Sequence, residues 1–170
     1  MNSLPEPLYI IRIEEVFWGG TLMAITMALH GLGMLLVLRM AASLRHRFES
    51  KPSFLKGLFI LILASWMILI VHLVEVSSWS EFFLLTRAVH SANVNRSLCY
   101  YFALMDYTTL GSNYNLVQHW RLLEGMIAIA GLLTFAWSTG VLLTLAQDFQ
   151  DQQLQILKQR REKRHTQAER

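Results

Sequence analysis

Residues 97–146 read SLCYYFALMDYTTLGSNYNLVQHWRLLEGMIAIAGLLTFAWSTGVLLTLA, and this stretch decides the fold. It has three parts: a short apolar run over residues 97–107, a polar interruption over 108–115, and a long apolar run from 120 to 146. A membrane span needs roughly 20 predominantly apolar residues, whereas runs of about 10–14 read as re-entrant or interfacial segments. The first run is too short to cross a bilayer and the second is long enough. Irregular backbone at membrane depth is tolerated only where protein buries it or where it lines a water-filled path. The spacing therefore predicts a helix that dips into the membrane, a polar turn at its tip, and a spanning helix leading away.

Upstream, residues 80–96 are polar and mixed, with Glu81, Arg87, His90 and Arg96, and read as a turret before the dipping helix. A second span is expected over residues 57–79, carrying His72 and Glu75, with Trp79 as an interfacial anchor at its far end. A first span is expected over residues 17–38, a stretch without formal charge, in which Gly31 and Gly33 would let a neighbouring helix approach closely. Before it, a short interfacial helix after Pro7 is expected, from apolar Leu8, Ile10, Ile11 and Ile13 among charged neighbours. Arg39, Arg45, Arg47, Lys51 and Lys56 crowd the connection between the first two spans, with only Glu49 as an acid. Lys158, Arg160, Arg161, Lys163 and Arg164 crowd the polar, helical tail after residue 147. Cytoplasmic segments carry the excess of Lys and Arg. The expected topology in a cell (inner) membrane is thus N-terminus outside, first connection inside, polar turn outside and C-terminus inside. Three segments follow: 1–56, with the first span and basic connection; 57–146, helix, loop and helix; and 147–170, the tail.

Composition agrees with one membrane domain. Of the 170 residues 54% are hydrophobic and only 16% charged, more apolar than a typical soluble domain. The net charge of +3 sits in the connection and tail, so no nucleic-acid partner is needed to explain it. A positive juxtamembrane segment suits an anionic lipid leaflet. The single Cys99 excludes an intrachain disulfide and reads as a small buried residue. The acidic, mixed first residues do not suggest a removable signal peptide.

Tyr107-Thr108-Thr109-Leu110-Gly111 resembles the opening of the potassium-channel filter signature, T-T-x-G-Y-G-D. His72-Leu73-Val74-Glu75, Trp120-Arg121-Leu122-Leu123 and Trp137-Ser138-Thr139 resemble the flanks of a bacterial ion-channel family with the two-transmembrane pore domain. The resemblance covers residues 60 to 146 and departs from the family at the filter, where Ser112-Asn113-Tyr114 stand for Y-G-D. It implies a potassium-channel-like pore domain, a homotetramer, and a permeating monovalent cation such as potassium or sodium as the sole ligand.

Thr108, Thr109, Leu110, Gly111, Ser112, Asn113, Tyr114 and Asn115 are the candidate ion pathway. A potassium filter replaces the hydration shell with backbone carbonyls, and alternate residues must take dihedrals that side chains resist. Asn113, in the place of the second glycine, is among the few residues that tolerate the left-handed region. Asp106 either braces the loop from behind, against a helix terminus or Trp120, or faces the ions as a ring of carboxylates. His72, Glu75 and Glu124 are a candidate buried polar clamp between the second and third spans. Together with His30 they also admit a metal site or a pH sensor, although no ligand spacing singles out a metal. Gly131, Phe135, Ser138, Leu142, Leu145 and Phe149 recur every three or four residues, a candidate inner-pore face and gate.

The sequence thus predicts an all-α integral membrane protein with three transmembrane helices, a re-entrant pore helix and a filter loop. Passive cation conduction with weak potassium selectivity is the expected activity. The alternatives are a non-conducting, channel-like subunit and a membrane metal or haem protein. No nucleophile–base pairing or phosphate-binding loop points to an enzyme. Beyond the bilayer and copies of itself, a regulatory partner has a candidate place only on the tail.

Overall fold

The computed structural model describes residues 9–48 and 54–168, and in these the chain is all-helical. Four α-helices follow in order: α1 (Ile13–Phe48), α2 (Phe54–Leu85), α3 (Arg96–Tyr107) and α4 (Leu122–Ala168). A single 3-10 turn, Gln118–Trp120, leads into α4. The long helices α1, α2 and α4 are each long and apolar enough to cross a membrane. The short α3 is not: at 1.5 Å per residue its 12 residues reach about 18 Å, against about 30 Å of hydrocarbon.

Several helices run further than their apolar cores. The first connection is not a loop over 39–48, because α1 continues through Phe48 and carries Arg39, Arg45 and Arg47 on helical backbone. Arg, Met, Ala and Leu are strong helix formers, and Arg45, His46 and Arg47 in the last turn suit the negative end of the helix dipole. Glu49 and Lys51 lie outside the described residues, as do Glu6 and Pro7. The interfacial helix does not form over residues 9–12, and α1 begins only at Ile13. Likewise α2 extends to Leu85, so the turret shrinks to residues 86–95. The third span and the tail are one helix of 47 residues.

Packing divides the chain into two compact units. Unit 1 comprises residues 1–29 and 73–134, and unit 2 residues 30–72 and 135–170. They cut across the segments 1–56, 57–146 and 147–170, since all three long helices contribute to both units.

Unit 1 is built on α3. Phe102, Cys99, Ala103 and Tyr107 on its buried face pack with Val76, Trp79 and Phe83 of α2 and Leu123, Ile127 and Ala130 of α4. Phe83 meets Phe102 edge-on at 5.4 Å between ring centres. Trp79 is not an interfacial anchor. It is fully buried in this core, and its indole nitrogen donates to the Thr26 hydroxyl at 2.9 Å. A Trp this deep requires a partner for its N–H, and Thr26 of α1 supplies it. Cys99 is buried, as its composition suggested.

Unit 2 packs Met34, Val37 and Ala41 of α1 against Ile60, Ala64 and Ile68 of α2 and Leu145 of α4. A Cβ on Gly33 would come within 2.5 Å of Val71, so this glycine does seat a neighbouring helix. Arg45 bonds to Asp148 at 2.9 Å, tying the basic end of α1 to α4.

Candidate functional site

Helix α3 delivers the loop of residues 108–117. It starts at Asn95, whose side-chain oxygen accepts from the Leu98 N–H at 2.9 Å, a regular N-cap. It ends in a Schellman motif: the Thr109 N–H bonds to the Asp106 carbonyl and the Leu110 N–H to the Met105 carbonyl, both at 3.0 Å. That motif puts Thr109 in the left-handed position, with φ 62°, where glycine is the usual occupant. Gly111, two residues on, has φ 72°. Asn113, which could tolerate such a conformation, does not take it: among the non-glycine described residues only Arg87 and Thr109 do. The left-handed residue is fixed by where α3 stops, which overrides the tolerance of the asparagine.

The Thr108 hydroxyl turns back to the Leu104 and Met105 carbonyls, at 2.9 and 3.1 Å. Ser112 donates to the Tyr114 carbonyl and accepts from the Tyr114 N–H, closing a small turn around Asn113. Leu110 stands out, 74% exposed on the single chain. Beyond the turn the strand-like residues 115–117 are pinned. The Asn115 carbonyl accepts from the His90 N–H at 2.8 Å, and the Val117 N–H donates to the Ala88 carbonyl at 2.7 Å. Glu124, near the start of α4, accepts from the Leu116 N–H at 2.6 Å.

The base of the loop is held by a buried polar chain. The Tyr107 hydroxyl donates to the Glu75 carboxylate and lies within hydrogen-bond distance of the Thr134 hydroxyl, whose one proton goes either to Tyr107 or to the Ala130 or Gly131 carbonyl. All three side chains are almost fully buried. Gly131 is what permits the approach, because a Cβ there would lie 2.0 Å from the Tyr107 carbonyl oxygen. Glu75 of α2 reaches the Tyr107 hydroxyl of α3. Glu124 serves the loop, and His72 serves unit 2, where its Nε2 meets the Ser138 hydroxyl at 3.0 Å. His30 lies against both, with its ring centre 5.3 Å from that of His72 and its Nε2 3.4 Å from Ser138.

Asp106 faces a cavity of about 310 Å³ shared with Thr109, Gly111, Ser112, Asn115 and Glu124. The residue as a whole is 9% exposed, and its carboxylate makes no hydrogen bond to another described residue, Trp120 included. Trp120 packs instead on Phe82 and His119. Burial, and then the charge of Glu124, push the Asp106 carboxyl up to about 7.

The stripe proposed on α4 is divided between buried and exposed positions, Phe135 being 40% exposed. Gly131, Ser138 and Leu145 are buried, and Leu142 packs partly buried on the unit 2 core. Phe135 stacks on His72 at 4.5 Å, and Phe149 on Phe54 at 5.4 Å.

Two groups escaped the sequence reading. Glu15 is fully buried and accepts from the Arg12 N–H, the Tyr9 hydroxyl and the Leu122 N–H, so it caps α1 and anchors the start of α4. Burial, followed by the bond to Glu15, pushes the Tyr9 phenol up to about 12. The three-residue spacing from Arg12 to Glu15 was the legible half of this, since an acid there reaches back to the preceding backbone. Tyr107 and Thr134 left no comparable signal.

Comparison of the chain with protein-family models, with curated proteins and with solved structures gives no match. The fold itself defines the class: an all-helical chain with three helices suited to a membrane and one short helix between the second and third.

Proposed function

We propose that this protein is a passive cation channel of the inner membrane, in which four copies surround a pathway formed by residues 108–115. One observation carries the reading: a 12-residue helix between two long apolar helices ends in a loop with left-handed residues at alternate positions, Thr109 and Gly111. A β-branched residue in that region is strained, and strain of this kind concentrates at functional sites. The buried Tyr107–Glu75–Thr134 chain supports it, because a short helix bearing a loop at its tip must be fixed at its base. The N-terminus lies outside and the basic ends of α1 and α4 inside, by the distribution of Lys and Arg. The ion pair of Arg45 with Asp148 agrees, since it holds the basic end of α1 against the stretch of α4 that leads into its basic end.

A second reading has its own observation. The Leu110 and Gly111 N–H groups both turn back to the Met105 carbonyl, as in an ordinary helix cap. A capped loop suits a channel-like subunit that does not conduct. Cation flux into liposomes carrying the purified protein decides between them: time-dependent uptake supports the channel, and none supports the subunit.

A further inference from the structure

The cavity beside the loop lies between the end of α3, the turn after it and the start of α4. Its polar lining residues all carry side-chain oxygen: Asp106 and Glu124 a carboxylate, Thr109, Ser112 and Tyr114 a hydroxyl, and Asn115 an amide whose carbonyl can serve as a ligand. Neither thiolate nor imidazole contributes, and no Lys or Arg faces it. Asp106 is more than nine-tenths buried, lines the cavity and has no hydrogen-bond partner among the described residues. Among the described residues Glu124 spends only Oε1, accepting from the Leu116 N–H. Two acids share a partly enclosed space that no Lys or Arg among the described residues lines, and a carboxylate largely withdrawn from water favours a bound counter-charge.

Oxygen ligands with two carboxylates are the chemistry of hard cations, not of zinc or copper. The volume, about 310 Å³, holds an ion together with several waters at about 30 Å³ each. Mg²⁺ demands near-ideal octahedral geometry, whereas Ca²⁺ accepts six to eight irregular oxygens. Side chains from the end of a helix, an irregular turn and a second helix make an irregular cage.

We propose that the Asp106–Glu124 cavity binds a hard divalent cation, of which Ca²⁺ is the best fit. The site is contained in a single chain and holds whether or not that chain conducts. It gives Glu124 two tasks, pinning Leu116 and sharing the ion, so that occupancy would stiffen the loop from the side.

Calorimetric titration of the detergent-purified full chain with CaCl₂, at about pH 8 so that Asp106 is ionised, tests it. Saturable binding of one Ca²⁺ per chain is expected, with a rise in Tm on binding. Asp106→Asn should weaken binding by more than about tenfold, the least that even outer-shell ligand changes cost. Because that carboxylate bonds to no other described residue, the variant should keep its helicity. Asp106→Glu, which retains the charge, should retain measurable binding. Absence of saturable Ca²⁺ binding, or equal binding by wild type and a folded Asp106→Asn, overturns the proposal. Liposome flux on the same preparations separates the two readings: binding without flux leaves the site and removes the channel, and flux without binding does the reverse.

Discussion

Tyr107 and Glu75, 32 positions apart, share a hydrogen bond in the fully buried centre of unit 1. The bond joins the last residue of α3 to the middle of α2, and Thr134 extends it to α4. Three helices are thereby fixed at the point from which the loop departs. Removing one partner strands a buried polar group, which costs about 1–3 kcal/mol. Tyr107→Phe keeps the ring and loses the hydroxyl, so its Tm in detergent should fall by that mechanism alone. Glu75→Gln should cost less than Glu75→Ala, because the amide can still accept from Tyr107. Equal loss in the two Glu75 variants would show that shape rather than the hydrogen bond holds the base of the loop.

The Schellman end of α3 makes a pair of predictions with opposite signs. Thr109 sits at φ 62° with a β-branched side chain, and the left-handed region costs an L-residue roughly 1–2 kcal/mol. Thr109→Gly should therefore stabilise the folded chain by about 1 kcal/mol, less the entropy that glycine adds to the unfolded state. At Gly111 a Cβ would meet nothing within 4 Å, so Gly111→Ala isolates backbone strain and should destabilise. Thermal unfolding of the two variants checks both. A destabilised Thr109→Gly would mean that the Thr109 side chain makes a contribution larger than its strain.

The pH dependence of stability should report Asp106. Its folded value, about 7, lies above the ordinary 3.8, so the folded state holds the proton more tightly than the unfolded one. The associated stability is fully present below the unfolded value and is lost as pH rises through the folded value. Tm should decline between about pH 4 and 7, and Asp106→Asn should flatten that decline. The titratable groups sharing the cavity are Glu124 on α4 and Tyr114 in the loop. Glu124→Gln, by removing the neighbouring charge, should shift the decline to lower pH without abolishing it. An unchanged pH profile in Asp106→Asn would assign the effect to another group.

Topology can be read with single cysteines in a Cys99→Ala background, Cys99 itself being buried in the core. Arg47→Cys and Arg161→Cys, both exposed, should be labelled by a membrane-impermeant reagent only from the cytoplasmic side. His90→Cys, in the connection after α2, should be labelled only from outside. External labelling at position 47 would invert the helix order and remove the pore-loop reading.

Much of this was readable because membrane helices need long apolar runs, and α1, α2 and α4 have them. The short helix was read over residues 97–107 and found over Arg96–Tyr107, since its length alone sets it apart. Helix ends were less legible: charged residues such as Arg45 and Arg47 mark where a span leaves the apolar phase, not where helical backbone stops. Nor could the sequence show which face of α4 turns inward, because that helix is apolar all round and offers several stripes. Ser138 and Leu145 looked like pore-lining positions and turn out to face the chain's own helices. Partners such as Glu75 and Tyr107 depend on how three helices are rotated, which no local spacing encodes.

Selectivity is where the loop's chemistry should be most visible. Discrimination of potassium from sodium needs a narrow, aligned set of carbonyls, whether cavity size or the number of dipoles decides it. In this chain the alternation of left-handed residues stops after Gly111. Ser112 closes a local turn on Tyr114, which commits the Tyr114 carbonyl to the Ser112 hydroxyl. The Asn115 carbonyl is likewise committed, to the His90 N–H. Two of the outer carbonyls are thus spent within the chain, and hydrated ions would pass the side chains of Asn113 and Asn115. In bilayer recordings the reversal potential should barely move when potassium is exchanged for sodium. The triple change Ser112→Tyr, Asn113→Gly and Tyr114→Asp removes the Ser112 turn and restores a residue free to continue the alternation. Selectivity for potassium should then rise, with Asn113→Gly alone insufficient because the Ser112–Tyr114 turn would persist. A wild-type protein that holds a near-Nernstian potassium potential would show that the outer carbonyls realign when copies assemble, and the weak-selectivity prediction would fall.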